Sequence, residues 1–258
     1  MNKIIWLDEE KKLRDALLRL RCEYGCDSLK VSTEDAGMSF REIREVYRLF
    51  NDIMPIVMKI GGPEARNDII NAVEIGVSGI VGPMIETDYA LEKYIETLLE
   101  VAGKTKFEKL SKHINIETLQ SCKNIDTILN TESAKYLNQI TVGRTDLSRS
   151  LKKNIDDDEV MQLTNEIIQK CKRRKISTSV GGNITPQNAE KIAKLIEPDK
   201  INTREVGFTL KKCRDIRKTV EECLKFEMQL IEHKIALFNF QINTLSDRKK
   251  KILKRLDA

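Results

Sequence analysis

The stretch Lys59–Thr87, KIGGPEARNDIINAVEIGVSGIVGPMIET, decides the fold. It begins on the charged end of an apolar run (Pro55–Ile60) and turns at Gly61-Gly62-Pro63. A helix-periodic segment, Glu64–Ile75, follows and stops at Gly76. A second apolar run, Gly79–Pro83, then leads to another charge, Glu86. Two short strands joined by a helix form a parallel crossover unit, because parallel strands cannot be linked by a tight turn. The same unit recurs on both sides. Strand-like runs at Ser28–Ser32, Ile114–Glu117, Gln139–Gly143, Ile176–Val180 and Lys200–Val206 alternate with helical segments. Those helices are expected at Asp8–Tyr24, Ser39–Asn51, Asp88–Ala102, Leu119–Leu129, Asp157–Lys172 and Pro186–Ile196. Ser39 with Glu42 forms a capping-box pattern, and Thr185-Pro186 places a cap before a first-turn proline. The alternation over residues 1–210 predicts an α/β fold, a (β/α)8 barrel. Seven strands are clear. The eighth is expected from Lys3–Leu7, as an abbreviated first strand.

Five runs end on a charged side chain: Lys59, Glu86, Glu117, Asp146 and Arg204. Active sites of such barrels lie at the carboxyl ends of the strands, so these are candidate site residues. Glu117 in HINIETLQ and Asp146 in ITVGRTDLS stand 29 positions apart (146 − 117), one βα unit. Neighbouring strands would then offer two carboxylates to one cation. A Mg2+ site takes one or two carboxylates and leaves other positions for water and substrate oxygens. Soft ligands are missing nearby, which disfavours zinc. The structural alternatives make Glu117 an ion-pair partner inside the barrel and Asp146 a turn residue. Lys59 can be a cation for a substrate carboxylate, a Schiff-base amine, or half of a structural ion pair. Glu86 can be a base, a partner of Lys59 or an acceptor for water on a metal. Gly181-Gly182-Asn183, with Thr203 and Arg204, is a candidate anion pocket at the late strands.

Composition narrows the classes. With 40% hydrophobic and 33% charged residues, the chain can bury an ordinary globular core. A net charge of +5, spread along the chain, gives no nucleic-acid or membrane signature. The cluster Arg248–Lys251 with Lys254 and Arg255 is read as a solvated helix end. Six scattered cysteines show neither metal spacing nor a disulfide framework, which fits reduced thiols in a cytoplasmic protein. The N-terminal apolar run is too short for a signal peptide, and no apolar stretch is long enough to span a membrane. Residues 211–258 form a C-terminal helical extension. Ile216, Val220, Leu224, Ile231, Ile235, Phe238, Ile242 and Leu245 follow helical spacing without a turn signal. Either one helix runs from Asp215 to Asp257 and joins subunits into a homo-oligomer, or it breaks near Asn243–Asp247 and folds back on its own barrel.

The segment Leu29–Phe208, with KIGGPEARNDIINAVEIGVSGIVGPMIET, INIETLQSCKNIDTIL and ITVGRTDLSRSL, resembles the HpcH/HpaI aldolase and citrate lyase beta-subunit family. The resemblance implies a metal-dependent carbon–carbon lyase acting on a small anionic 2-oxo acid, such as pyruvate or oxaloacetate, through an enolate. It implies Mg2+ or Mn2+ on Glu117, matching the family's I-E-T segment, and on Asp146, matching its G-P-x-D-L-S loop. Three positions depart from the family pattern. Lys59 stands where an arginine clasps the substrate carboxylate. In TEDAG, Glu34 is kept but Asp35 replaces the histidine base. Arg144 replaces the loop proline and adds a cation beside the expected metal. Glu34, Glu86 or water on the metal would then move the proton. Neither His113 nor His233 is placed to replace the missing base. Two further readings remain at this level: a metabolite-binding scaffold without turnover, and a metal-independent aldolase using Lys59 as a Schiff-base amine.

Overall fold

The computed structural model describes residues 6–238 and 242–257. In chain order the elements are α1 (Asp8–Glu23), β1 (Cys26–Ser32), α2 (Phe40–Phe50), β2 (Ile56–Lys59), α3 (Arg66–Ile75), β3 (Gly79–Gly82), α4 (Asp88–Lys109) and β4 (Ser111–Ile116). There follow α5 (Leu119–Lys123), α6 (Ile125–Leu129), β5 (Gln139–Gly143), α7 (Arg144–Leu151), α8 (Asp158–Arg173), β6 (Ser177–Gly181) and α9 (Ala189–Ile196). Last come β7 (Lys200–Asn202), β8 (Val206–Thr209), α10 (Ile216–Leu237) and α11 (Ile242–Asp257). The strands close into a barrel in sequence order. Local signals set many boundaries: the Ser39–Glu42 capping box opens α2, and Gly76, at φ 90°, ends α3.

The closing strand differs from the expectation. The run Lys200–Val206 is not one strand. It turns at Thr203-Arg204-Glu205, and β8 returns antiparallel to both β7 and β1. The cause lies in the C-terminal extension. Fully buried Glu227 on α10 offers Oε1 to the Thr203 hydroxyl (2.6 Å) and to the backbone N–H groups of Arg204 (3.0 Å), Glu205 (2.7 Å) and Val206 (3.3 Å). One carboxylate oxygen thus organises the reversal. The expected strand Lys3–Leu7 lies largely outside the described residues; Trp6 and Leu7 carry no strand, and Val206–Thr209 is the eighth stave.

Strand alternation divides apolar from polar residues. Leu29, Val31, Ile56, Met58, Ile80, Ile114, Ile140 and Val180 are buried with the helix faces in one hydrophobic core. The intervening residues give a polar interior: Thr141 and Ser179 share a 2.7 Å hydrogen bond, Asn202 donates to Ser179 at 2.8 Å, and Gln139 donates to both hydroxyls at 3.3 Å. These polar groups satisfy one another below an open mouth.

The C-terminal region is two helices. Phe238 leaves helical geometry (φ −128°, ψ 90°), so α10 ends earlier than the expected break. Helix α11 packs back on its own barrel, burying Leu245 and Ile252. Buried Arg248 pairs with Glu205 in the β7–β8 turn, where Lys234 of α10 also approaches at 3.6 Å. Arg255 donates to the carbonyls of Ile184 (2.7 Å) and Thr203 (3.2 Å). The basic cluster is thus not simply a solvated helix end: Arg248 is buried, and its neighbours one and two turns on reach the barrel mouth. Among the described residues no helix is long and apolar enough to cross a membrane.

Candidate active site

The strand ends open into a cavity of about 930 Å³. Glu117 follows β4 and is 2% exposed. Its Oε1 accepts from the Met84 N–H at 3.1 Å, and its Oε2 accepts from the Asn115 amide at 3.0 Å. Met84 makes its contact from a left-handed conformation (φ 51°), an unusual state for a non-glycine residue and one that aims its N–H at the carboxylate. Lys59 ends β2 with its Nζ 2.8 Å from Glu34 and 3.5 Å from Glu117. Burial alone would pull its pKa down, but Glu117 and Glu34, with Asp35 beyond, outweigh this and hold it above the ordinary lysine value. The carboxylates thus favour the ammonium form of Lys59. The expected pairing of Lys59 with Glu86 is not formed. Glu86 turns aside to accept from the Thr118 hydroxyl at 2.7 Å and does not line the cavity.

Asp146 lies in the first turn of α7, immediately after β5, and faces the same cavity. Its side chain is 38% exposed and pairs with exposed Arg149 at 3.1 Å. The Glu117 carboxylate presses against the start of this helix: a Cβ on Gly143 would stand 2.7 Å from Glu117 Oε2. Gly143 thus leaves room for the carboxylate three residues before Asp146. The donor types suit a hard divalent cation: two carboxylates line one cavity, and no histidine or cysteine lines it. No group of three or more His, Cys, Asp or Glu side chains gathers as a metal centre among the described residues.

Arg144 is a correction. Its guanidinium does not enter the mouth. The side chain is fully buried and donates to Gly182 O at 2.8 Å and Asp156 Oδ1 at 3.3 Å. It fixes the loop after β6 from behind. Gly181, Gly182 and Arg204 do line the mouth, and Gly182 (φ 99°) permits an approach so close that a Cβ would meet Thr145 N at 2.6 Å. Arg204 pairs with Asp35 at 3.1 Å. Burial by itself would raise the Asp35 carboxyl, but Lys30, Arg204 and Lys59 together bring it down to about 2. The residue in the histidine's place is thus a fixed anion. Neither histidine lines the cavity; burial pushes His113, which bonds Ser111 at 2.7 Å, down to about 4.

Two sets of residues escaped the sequence reading. Lys30 on β1 lines the mouth, and its register partners lead to Ser32 opposite Lys59. The alternation Leu29-Lys30-Val31-Ser32 carried that signal, since a polar residue between two buried ones must face the interior. Burial lowers the Lys30 pKa, with Lys59 and Arg204 adding to the effect against Asp35. Lys251, Lys254 and Arg255 of α11 also line the mouth. Nothing local in the sequence announces that contact.

Comparison with known proteins follows the same geometry. The model of the HpcH/HpaI aldolase/citrate lyase family matches residues 22–215. A family protein from Burkholderia cenocepacia J2315 superposes with a TM-score of 0.59 at 14% identity, covering 72% of this chain and 88% of its own. The citrate synthase SbnG gives 0.58 at 18% identity, with 74% and 81% covered. An HpcH/HpaI aldolase from Desulfitobacterium hafniense DCB-2 gives 0.58 at 13% identity, with 71% and 78% covered. These identities support likeness of fold. Among curated proteins no sequence match is found. The family is generally divalent-metal dependent. With three quarters of its length matched by the family model, the chain belongs to the HpcH/HpaI aldolase/citrate lyase family, a class of carbon–carbon lyases.

Proposed function

We propose that the protein makes or breaks a carbon–carbon bond at carbon 3, the carbon beside the keto group, of a small 2-oxo acid, pyruvate or oxaloacetate in type, in the mouth of its barrel. The observation that carries this reading is the grouping of Glu117, Lys59 and Glu34 beside the Asp146-bearing start of α7, all facing one cavity. Glu117 and Asp146 would hold Mg2+ or Mn2+, which when bound supplies Lewis-acid polarisation of the keto group and stabilises enolate charge. The chain's own residues do the rest. The Lys59 ammonium has three donors in a largely buried place and orients the substrate carboxylate at the cavity floor. Asn115 and the Met84 N–H hold the Glu117 carboxylate in one orientation. Glu34, partly exposed and facing the cavity, takes and returns the proton at the substrate's carbon 3. Lys59, kept charged by its two carboxylates, serves as a binding cation rather than an amine nucleophile.

The test is cleavage of oxaloacetate, and addition of pyruvate to an aldehyde, by the full chain with EDTA, then with Mg2+ or Mn2+ restored. Turnover should require the ion, and Glu117→Gln should lower kcat by at least about a hundredfold, the scale of a lost metal contact. Turnover indifferent to EDTA and to Glu117→Gln removes this reading. A borohydride-trapped pyruvate adduct on Lys59 would replace it with Schiff-base chemistry.

A further inference from the structure

The mouth holds more positive charge than its own carboxylates can match. Four acids line it: Glu34, Asp35, Glu117 and Asp146. Three cations answer them: Lys59 on Glu34 and Glu117, Arg204 on Asp35, and Arg149 on Asp146. Four lining cations remain, Lys30, Lys251, Lys254 and Arg255, with no carboxylate at ion-pair distance among the described residues. Three of those four come from α11. The helix is fixed over the rim by Arg248 on Glu205 and by Arg255 on the carbonyls of Ile184 and Thr203. Positions 248, 251 and 254–255 recur at three- and four-residue steps, so one helix face presents them together. Lys59, Glu117 and Asp146 line the same cavity. Residues 242–257 lie beyond the family-matched segment, residues 22–215. This cationic wall is therefore not part of what places the chain in its family.

We propose that α11 supplies a second anion subsite, in which Lys251 and Lys254, supported by Arg255, bind a distal anionic group of the substrate. The ligand is then a 2-oxo acid carrying a distal carboxylate or phosphate group. Its oxo-acid end lies at Lys59 and its far end under α11. This inference rests on the proposed lyase reading for the oxo-acid end only. Like charges held together over a cavity repel one another, and an anion that enters relieves the repulsion while gaining the field of all of them. The exposed lysines contribute mainly by charge, so each should count modestly, and the pair together about tenfold in affinity.

The experiment is calorimetric titration of the full-length protein, in magnesium, with pyruvate, 2-oxoglutarate and phosphonopyruvate. The two dianions should bind about tenfold more tightly than pyruvate. Lys251→Ala/Lys254→Ala should remove about that factor from the dianions and change pyruvate by less than about twofold. Preference for 2-oxoglutarate or phosphonopyruvate identifies the distal group as carboxylate or phosphate. Wild-type protein gives a second readout that needs no variant: added salt should weaken the dianions more steeply than pyruvate. Dianions no tighter than pyruvate, equal losses for all three ligands, equal salt slopes, or no binding of any ligand overturns the subsite. Turnover of oxaloacetate, which carries a distal carboxylate, that is unchanged in Lys251→Ala/Lys254→Ala sinks the subsite alone. Dependence of dianion binding on α11 without turnover sinks the lyase reading and leaves the subsite standing.

Discussion

Substituting Glu227 separates the closure of the barrel from the rest of its stability. Its Oε1 receives one hydroxyl and three consecutive backbone N–H groups at 2.6–3.3 Å in a fully buried place. Glu227→Ala would leave those donors facing a void. Each unsatisfied buried donor costs about 1–3 kcal/mol. Water entering the vacated space would satisfy part of the set, so about 4–5 kcal/mol is expected, in line with removal of one partner from a buried charged cluster. Glu227→Gln keeps an oxygen acceptor but loses its charge. Charge-assisted hydrogen bonds are roughly twice as strong as neutral ones, which sets the loss at about 2 kcal/mol. In a chain of this size that lowers Tm by about 4–8 °C. Urea unfolding followed by circular dichroism measures both values, with the slope m expected to stay constant. The turn also carries Arg204 into the mouth, so Glu227→Gln should weaken binding of an anionic substrate as well as the fold. If both variants unfold within about 0.5 kcal/mol of the natural protein, Glu227 does not hold the reversal and β8 runs antiparallel for another reason.

Asp35 and Gly182 give two further checks. The Asp35 carboxyl is brought from 3.8 down to about 2, so its ionised form adds stability that is complete above the unfolded value and lost as pH falls through the folded one. The stability gap between the natural protein and Asp35→Asn should therefore be constant above pH 3.8 and close as pH falls towards 2; a gap that persists there contradicts the assigned interactions. Gly182→Ala places a Cβ at 2.6 Å from Thr145 N on a backbone at φ 99°, whereas a Cβ on Gly181 meets nothing nearer than 3.7 Å. Thermal unfolding should show Gly182→Ala costing about 1–3 kcal/mol, clearly more than Gly181→Ala, and equal losses would refute the close-approach argument.

Most of the barrel could be read locally. Hydrophobic periodicity, the Ser39–Glu42 box and Gly76 placed most strands and helices to within a few residues, because each depends on neighbours in the chain; α4 runs on to Lys109, past the expected Ala102, and the expected helix Leu119–Leu129 is two, α5 and α6. Glu117 and Asp146 stood out for the same reason, as polar residues at the ends of apolar runs, and both face the cavity. Glu86 met the same rule, and Arg144 was expected beside the mouth from the family resemblance, but both point elsewhere. Thr118 takes up the first, and Gly182 O and Asp156 take up the second. Which way a strand-end side chain turns depends on partners brought from other units. α7 itself was missed because Gly143 passes directly from strand to helix without a capping signal.

By itself the sequence determined the repeating unit and the barrel class, and it marked Glu117 and Asp146 at strand ends, since period, capping and strand ends are properties of contiguous residues. Only the tertiary structure decided that the last strand reverses on Glu227, that Lys59 pairs with Glu34 and Glu117, and that the basic end of the chain reaches the mouth. Each of those depends on charges far apart in the chain meeting where water is scarce, and an ion pair's strength is fixed by distance and burial rather than by position in the sequence.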